Sequence, residues 1–239
     1  DEFRLLTDAV GGKGYRQIDI NLGCPFPMIA GKHKGAGMLL YPAQVAEVLA
    51  PIAEYPEIQF SLKMRLGWEN ASECMVLIEL LNALRLSRIA LHARTGKQQY
   101  KGHPDLEAFQ GFYELCQHPL YYNGGIESLS DIRQILTRFP LLKGVFIGRG
   151  LLSSPLLAKE FKGNETFLPE QRMSIYFAFH EELFSAYSQV LQGETQLLVK
   201  MKTLWEYFLP ETDRKLLKRI KKSTRLQQYT ESVKAIFTS

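Results

Sequence analysis

Long apolar runs are missing from this sequence. Nowhere do about 18 apolar residues follow one another, so no membrane-spanning helix is expected. The opening Asp1-Glu2-Phe3-Arg4 has neither the charged start nor the apolar core of a secretory leader. It also has no initiating Met, and the chain is expected to be an N-terminally trimmed piece. Cysteine is scarce: Cys24, Cys74 and Cys116 are widely spaced and odd in number. That excludes a disulfide framework and a zinc pattern, and the expected compartment is the reducing cytoplasm. Excess positive charge is missing from most of the chain. Residues 200–239 hold ten Lys and Arg against four Asp and Glu, whereas the other 199 hold nineteen against twenty-one. A basic segment on a near-neutral body points to a polyanion, of which nucleic acid is the commonest; the alternative is a solvated helix face.

What is present is a repeated alternation. Strands are expected at Gln17–Leu22, Ile58–Leu66, Arg88–His92, Leu120–Tyr122 and Gly144–Ile147. Helices are expected at Phe3–Val10, Pro42–Ala53, Glu69–Leu86, Pro104–Cys116, Ser128–Arg138 and Pro155–Phe161. Strands each followed by a helix imply a parallel sheet. The strand bodies are apolar and their C-terminal ends carry polar residues and glycine, which suits both doubly wound sheets and barrels. From Leu168 the alternation stops, and helices are expected at Glu170–Gln192, Thr195–Leu209, Asp213–Lys222 and Thr224–Phe237. The expected domains are residues 1–165 and an all-helical 166–239.

Chemistry concentrates at the strand ends. The first strand runs into Gly23-Cys24-Pro25 and then a cationic glycine loop, Gly31-Lys32-His33-Lys34-Gly35-Ala36-Gly37. A cysteine there suits a nucleophile or a proton donor, although a lone cysteine is more often a small core residue. Lys63 ends the second strand and suits an anion or a reduced, electron-rich ring; otherwise its stem snorkels. His92 and Arg94 share one side of the third strand by period 2. Asn123-Gly124-Gly125 and Gly148-Arg149-Gly150 end the last two strands, where glycines let backbone N–H groups approach a phosphate.

Taken together, these residues resemble the tRNA-dihydrouridine synthases. That family's Asn-x-Gly-Cys-Pro pattern, its Gly-x-Gly loop and its Leu-Leu are matched by Asn21–Pro25 and Gly35–Leu40. Its Lys-x-Arg-x-Gly is matched by Lys63–Gly67, and its His-x-Arg-Thr segment with Gln-x-Tyr-x-Gly by His92–Thr95 and Gln98–Gly102. Its Asn-Gly-Gly and Ile-Gly-Arg-Gly ends are matched by Asn123–Ile126 and Ile147–Gly150. The resemblance implies an α/β fold, a (β/α)8 TIM barrel lacking its first three strands in this chain, followed by an all-helical C-terminal domain. It implies FMN as cofactor, with Lys63 and His92 beside the ring and Asn123, Gly124, Gly125, Gly148 and Arg149 at the phosphate. Reduced FMN, recharged by NADPH, gives a hydride to C6 of a tRNA uridine, and Cys24 protonates C5. Asn21 and Arg94 are expected at the uridine, and Lys218, Arg219, Lys221 and Lys222 on the tRNA.

The chain departs from the family in lacking its Ala-Pro-Met strand and its flavin-contacting glutamine, so FMN is expected to bind weakly unless those strands are supplied. Gly102-His103-Pro104-Asp105-Leu106 replaces the usual Gly-x-Ala-Asp-Trp, and the tail lacks the usual Arg-His pair. A monomer without an obligate protein partner or a membrane is expected. Two alternatives stand beside this reading. One is an FMN barrel acting on a small pyrimidine, for which the basic tail has no use. The other is a tRNA-binding remnant without catalysis.

Overall fold

In the computed structural model, which describes residues 2–238, five strands form one sheet in chain order and all pair in parallel. They are β1 (Gln17–Leu22), β2 (Gln59–Gly67), β3 (Leu86–Thr95), β4 (Leu120–Asn123) and β5 (Gly144–Phe146). A single sequential order with helical crossovers is what short right-handed βα units produce. β1 and β5 form the two edges.

Period-2 alternation divides the sheet into two faces of different chemistry. One face carries Ile18, Ile20 and Leu22, then Phe60, Leu62, Met64 and Leu66, then Ile89 and Leu91, then Leu120 and Tyr122. Helices cover it. α1 (Glu2–Gly12) sets Phe3 against Phe60 with ring centroids 5.6 Å apart, and α6 (Leu106–Leu115) sets Phe109 edge-on to Tyr122 at 4.9 Å. Burial of these side chains, each worth about 1.5–3 kcal/mol, is the main force holding the layer together. The opposite face carries Asp19 and Asn21, then Ser61, Lys63 and Arg65, then Arg88, His92 and Arg94, then Asn123. The registers Asn21↔Lys63, Arg65↔His92 and His92↔Asn123 bring these polar residues side by side. Towards the N-terminal ends the same face is tied by Ser61 Oγ donating to Asp19 Oδ1 at 2.5 Å, and by Arg88 over the Phe146 ring.

One departure from the periodicity lies at residues 69–86. Residues 69–86 do not form a single helix but a turn followed by α4 (Glu73–Val76) and α5 (Ile78–Ala83). The Glu73 carboxylate accepts the backbone N–H groups of Trp68, Glu69 and Asn70 at 2.7, 3.1 and 2.8 Å, holding that turn open. Two other short helical stretches, α2 (Pro27–Ala30) and a tight turn at Gly35–Leu40, fold the loop after β1. α3 (Pro42–Leu49) and α7 (Leu129–Arg138) complete the helices that lie between strands.

The chain divides into two compact units, one of Asp1–Ile126 with Ser130–Phe146 and one of Glu127–Leu129 with Ile147–Ser239. The second is helical: α8 (Arg149–Ser153), α9 (Leu157–Gly163), α10 (Pro169–Val190), α11 (Gly193–Leu204), α12 (Arg214–Lys222) and α13 (Leu226–Phe237). Its core gathers Tyr176, Leu197, Leu198, Met201, Trp205, Phe208, Ile220, Tyr229, Val233 and Ile236. At its centre the Tyr229 hydroxyl accepts from Trp205 Nε1 at 3.0 Å and meets His180 Nε2 at 2.6 Å. Among the described residues, no helix is long and apolar enough to cross a membrane.

Candidate active site

Cys24 lies on the loop just past the C-terminal end of β1, and its position is set by local geometry. The Asn21 side-chain oxygen accepts the Gly23 N–H at 2.9 Å, a turn that ends the strand and presents the next residue. The Ala36 N–H donates to the Cys24 carbonyl at 3.0 Å, folding the glycine loop back over it. Gly35, at φ +56°, makes that approach possible. A Cβ there would stand 2.8 Å from the Cys24 carbonyl oxygen and 2.9 Å from Cys24 Cβ.

Arg65 joins three strand ends. Its side chain is 1% exposed. Nε donates to the Gly23 carbonyl at 3.0 Å, and Nη1 donates to the carbonyls of Thr95 and Gln99 at 2.8 and 2.7 Å. The guanidinium also sits 5.4 Å from the centre of the Tyr100 ring. In the glycine loop, Lys34 pairs with Glu2 at 3.5 Å, and His33 stacks on Tyr41 at 4.2 Å. Arg65 is thus a cation built into the cysteine turn, a role that the bare motif around it does not reveal.

Lys63 is half-buried beside Asn21, and a Cβ on Gly23 would stand 3.6 Å from its Nζ. Burial pushes its ammonium below the usual lysine range, and Arg65 adds to this while Asp19 opposes it. An anion placed here would relieve both effects. His92 and Arg94 are buried on the same side of β3, with Arg94 Nη1 3.2 Å from His92 Nε2 and Arg94 Nη2 donating to the Gly102 carbonyl at 2.9 Å. Gln98 shapes the loop between them by donating to the carbonyls of Lys101 and His103, each at 2.9 Å. Asn123 Nδ2 donates to the Phe146 carbonyl at 2.8 Å and so ties β4 to β5. Gly124 and Gly125 follow at φ +128° and +62°. A Cβ on Gly124 would stand 3.0 Å from the His92 ring.

Asn21, Cys24, Lys63, His92, Arg94, Asn123, Gly124 and Gly125 therefore share the C-terminal edge of one sheet within the first unit. Cys24 follows β1 and Lys63 lies on β2, with a buried imidazole on β3 and a pair of glycines after β4. The profile of the Dihydrouridine synthase (Dus) family matches residues 7–238.

The chain belongs to the dihydrouridine synthase family.

Its relatives include a probable tRNA-dihydrouridine synthase of Rhizobium leguminosarum bv. phaseoli, 32% identical over 58% of this chain and 44% of the relative. Another, of Aquifex aeolicus, is 35% identical over 61% of this chain and 46% of the relative. The tRNA-dihydrouridine synthase B of Vibrio vulnificus is 27% identical over 70% of this chain and 54% of the relative. The chain spans about half the length of the curated relatives it matches.

The remaining expected residues of this family member lie in the helical unit. Gly148 precedes α8 and Arg149 opens it. α12 is capped by Asp213, whose carboxylate accepts from the N–H groups of Lys215 and Leu216 at 2.7 and 3.2 Å. Leu216, Leu217 and Ile220 turn inward, which leaves the cations outside. Lys218, Arg219 and Lys222 line a groove between α12 and α13 with Ser223, Gln228, Glu231 and Ser232. Lys215 also lines it, and Lys221 does not. Lys215 was legible from helical spacing, because 215, 218, 219 and 222 fall on one face.

Proposed function

We propose that this chain carries the catalytic core of a flavin-dependent tRNA-dihydrouridine synthase, an NADPH-consuming oxidoreductase that converts uridine to 5,6-dihydrouridine. The observation that carries the reading is the pairing of Cys24 with Lys63 and His92 along one polar sheet edge in a chain of this family. The sheet is read as part of a (β/α)8 barrel, with its polar face turned to the interior, its helices outside and further strands closing it across β1 and β5. The helices from residue 166 onward form the RNA-binding domain.

The residues present fit FMN. Lys63 offers a half-buried cation to an electron-rich ring, His92 offers a ring nitrogen, and Asn123, Gly124 and Gly125 offer glycine-lined backbone to a phosphate. The role of Gly148 and Arg149 rests on the sequence pattern alone. The chemistry supplied by bound, reduced FMN is a hydride at C6 of uracil. Cys24 supplies the proton at C5, its thiol passing to thiolate as the C5–H bond forms, and regains a proton from solvent. Asn21, whose oxygen is committed to Gly23, keeps its amide for the uracil edge. The uridine must leave its stack to reach this edge, and the groove of Lys215, Lys218, Arg219 and Lys222 holds phosphates of the same RNA.

The deciding experiment incubates the protein with unmodified tRNA, FMN and NADPH without oxygen, and measures dihydrouridine by mass spectrometry of the digested RNA. Product dependent on Cys24 is expected. Reduction of free uracil or uridine with tRNA untouched would favour a small-pyrimidine enzyme. Flavin-free protein that binds tRNA without product would favour a catalytically silent remnant.

A further inference from the structure

The loop that follows Cys24 turns apolar side chains to solvent. Phe26 is 69% exposed and Met28 83%, and Ile29 on the same turn is 41% exposed. Large apolar side chains gathered at one exposed place mark a surface that meets a partner. The backbone under them is fixed. Phe26 precedes Pro27 and is extended, at φ −66° and ψ 128°, the conformation favoured before a proline. Its carbonyl accepts the N–H groups of Ile29 and Ala30, each at 2.9 Å, and the Pro27 carbonyl accepts that of Gly31 at 2.8 Å. Ala30 is buried, and a Cβ on Gly37 would run into its carbonyl, so the turn at Gly35–Leu40 packs directly against α2. Phe26 and Met28 therefore stand on a preformed platform, which avoids the ordering cost of a flexible loop.

The charges around the patch point to its partner. Lys32 and Lys34 follow on the same loop and are exposed. The pair of Lys34 with Glu2 lies in solvent and holds that lysine only weakly. An apolar patch edged with lysines suits a polyanion that carries flat apolar faces, which is what single-stranded RNA presents. A base drawn out of its stack leaves its neighbours with uncovered faces, and proteins that open a base step do so with apolar wedges such as Phe and Met. We propose that Phe26 and Met28 form a wedge that packs against the bases flanking the target uridine, with Lys32 on an adjacent phosphate. The identity of the partner rests on the reading of Cys24 as proton donor to a tRNA uridine. Recognition at this loop falls on the neighbours of the uridine, through stacking that any base can supply.

The test measures binding of the full 239-residue chain to two RNA hairpins by fluorescence anisotropy, each hairpin with one loop uridine. In one hairpin the nucleotides on either side of the uridine carry bases; in the other they are abasic. The wild-type protein is expected to bind the first about tenfold or more tightly, the effect of stacking on a flanking base. The double variant Phe26→Ser, Met28→Ser is expected to lose that preference and to bind the abasic hairpin as the wild type does. Phe26→Trp is expected to keep the preference. Lys32→Gln is expected to keep it too, while lowering the slope of log affinity against log salt by about 0.7. The single variants Phe26→Ser and Met28→Ser, each expected to lose part of the preference, carry the test if the double variant does not fold.

Equal affinity of the wild-type protein for the two hairpins would overturn the wedge, as would a preference that survives in the double variant. Unchanged RNA binding by the double variant, together with loss of self-association in sedimentation or of binding to phosphatidylserine–phosphatidylcholine vesicles, would assign the patch to a second copy or a lipid surface and overturn it as well. The dihydrouridine assay on unmodified tRNA separates this inference from the reading on which it rests. Product from a wild-type protein that shows no preference between the hairpins would leave the enzyme standing and remove the wedge. A preference that depends on Phe26 and Met28, in a protein that makes no product, would uphold the wedge and overturn the catalytic reading instead.

Discussion

Arg65 Nε donates to the carbonyl of Gly23 at 3.0 Å, so the residue before Cys24 is anchored by a guanidinium from the neighbouring strand. The same side chain reaches Thr95 and Gln99. A planar fork with five donors can bridge three backbone segments at once, whereas an ammonium on a flexible stem cannot hold the same geometry. Arg65→Lys is therefore expected to lower dihydrouridine formation on tRNA about tenfold or more while the protein still folds. Arg65→Ala takes the donor from the buried Gly23 carbonyl and from the part-buried contacts to Thr95 and Gln99, and is expected to cost about 2–3 kcal/mol in urea unfolding. Wild-type turnover in Arg65→Lys would show that the anchor does not matter to catalysis.

Cys24→Ala removes the proposed proton donor and keeps the fold. Loss of a positioned general acid costs roughly a hundredfold to ten-thousandfold in rate. Dihydrouridine formation is expected to fall by that factor while flavin-linked NADPH oxidation continues. Undiminished product would take Cys24 out of the mechanism.

The glycine loop permits a control within one protein. Gly35→Ala adds a methyl group 2.8 Å from the Cys24 carbonyl oxygen at φ +56° and is expected to destabilise by about 1–3 kcal/mol and to displace Cys24. Gly12→Ala meets nothing within 4 Å at the end of α1 and is expected to be neutral or slightly stabilising. Equal melting temperatures for the two variants would contradict this account of the loop.

On the helical unit, the groove makes a prediction that the bare charge run does not. Changing Lys215, Lys218, Arg219 and Lys222 together to Gln is expected to weaken tRNA binding and to flatten the slope of log affinity against log salt by about 3, since each phosphate contact contributes about 0.7–0.9. Lys221→Gln alone, outside the groove, is expected to change the slope little. A slope insensitive to the fourfold variant would mean that the cations are merely solvated.

His180 gives the helical unit a pH dependence. Burial pushes its imidazole below the usual histidine range, against the opposing pull of Glu181. The unfolded chain therefore takes up a proton first as pH falls. The stability this histidine contributes is present above the unfolded value near 6.5 and declines below it, by at most about 1.4 kcal/mol per pH unit. Denaturant unfolding between about pH 7.5 and 5 is expected to show that decline, and His180→Gln to reduce it. Tyr229→Phe removes the hydroxyl shared by Trp205 and His180 and is expected to cost about 1–3 kcal/mol at any pH in that range. A flat profile in the wild-type protein would exclude His180 as the titrating group.

The fold was readable to the extent that it depends on short-range pattern. β1 appears at the expected residues, Gln17–Leu22, because its apolar and polar residues alternate between a turn at Gly11–Gly14 and the Gly23-Cys24-Pro25 turn. The helix expected at 69–86 starts only at Glu73, because a contact that no periodicity encodes, the Glu73 carboxylate drawing three N–H groups into a turn, precedes it. α2 was hidden because four residues carry too little pattern.

The site divides in the same way. Local order along the chain was enough to place Cys24 and the Asn123-Gly124-Gly125 turn at the ends of β1 and β4, whereas β2 and β3 run on past Lys63 and His92 to Gly67 and Thr95. Side-chain roles were decided only when the strands came together. Arg65 became an anchor for the Cys24 turn, Asn123 a tie between β4 and β5, and Arg94 a partner of His92, because the carbonyls and the ring nitrogen they meet are supplied by neighbouring strands, by the adjoining loop or by a strand-mate that only packing holds in place. Directional hydrogen bonds at about 3 Å depend on that packing, and residue order alone carries no record of it.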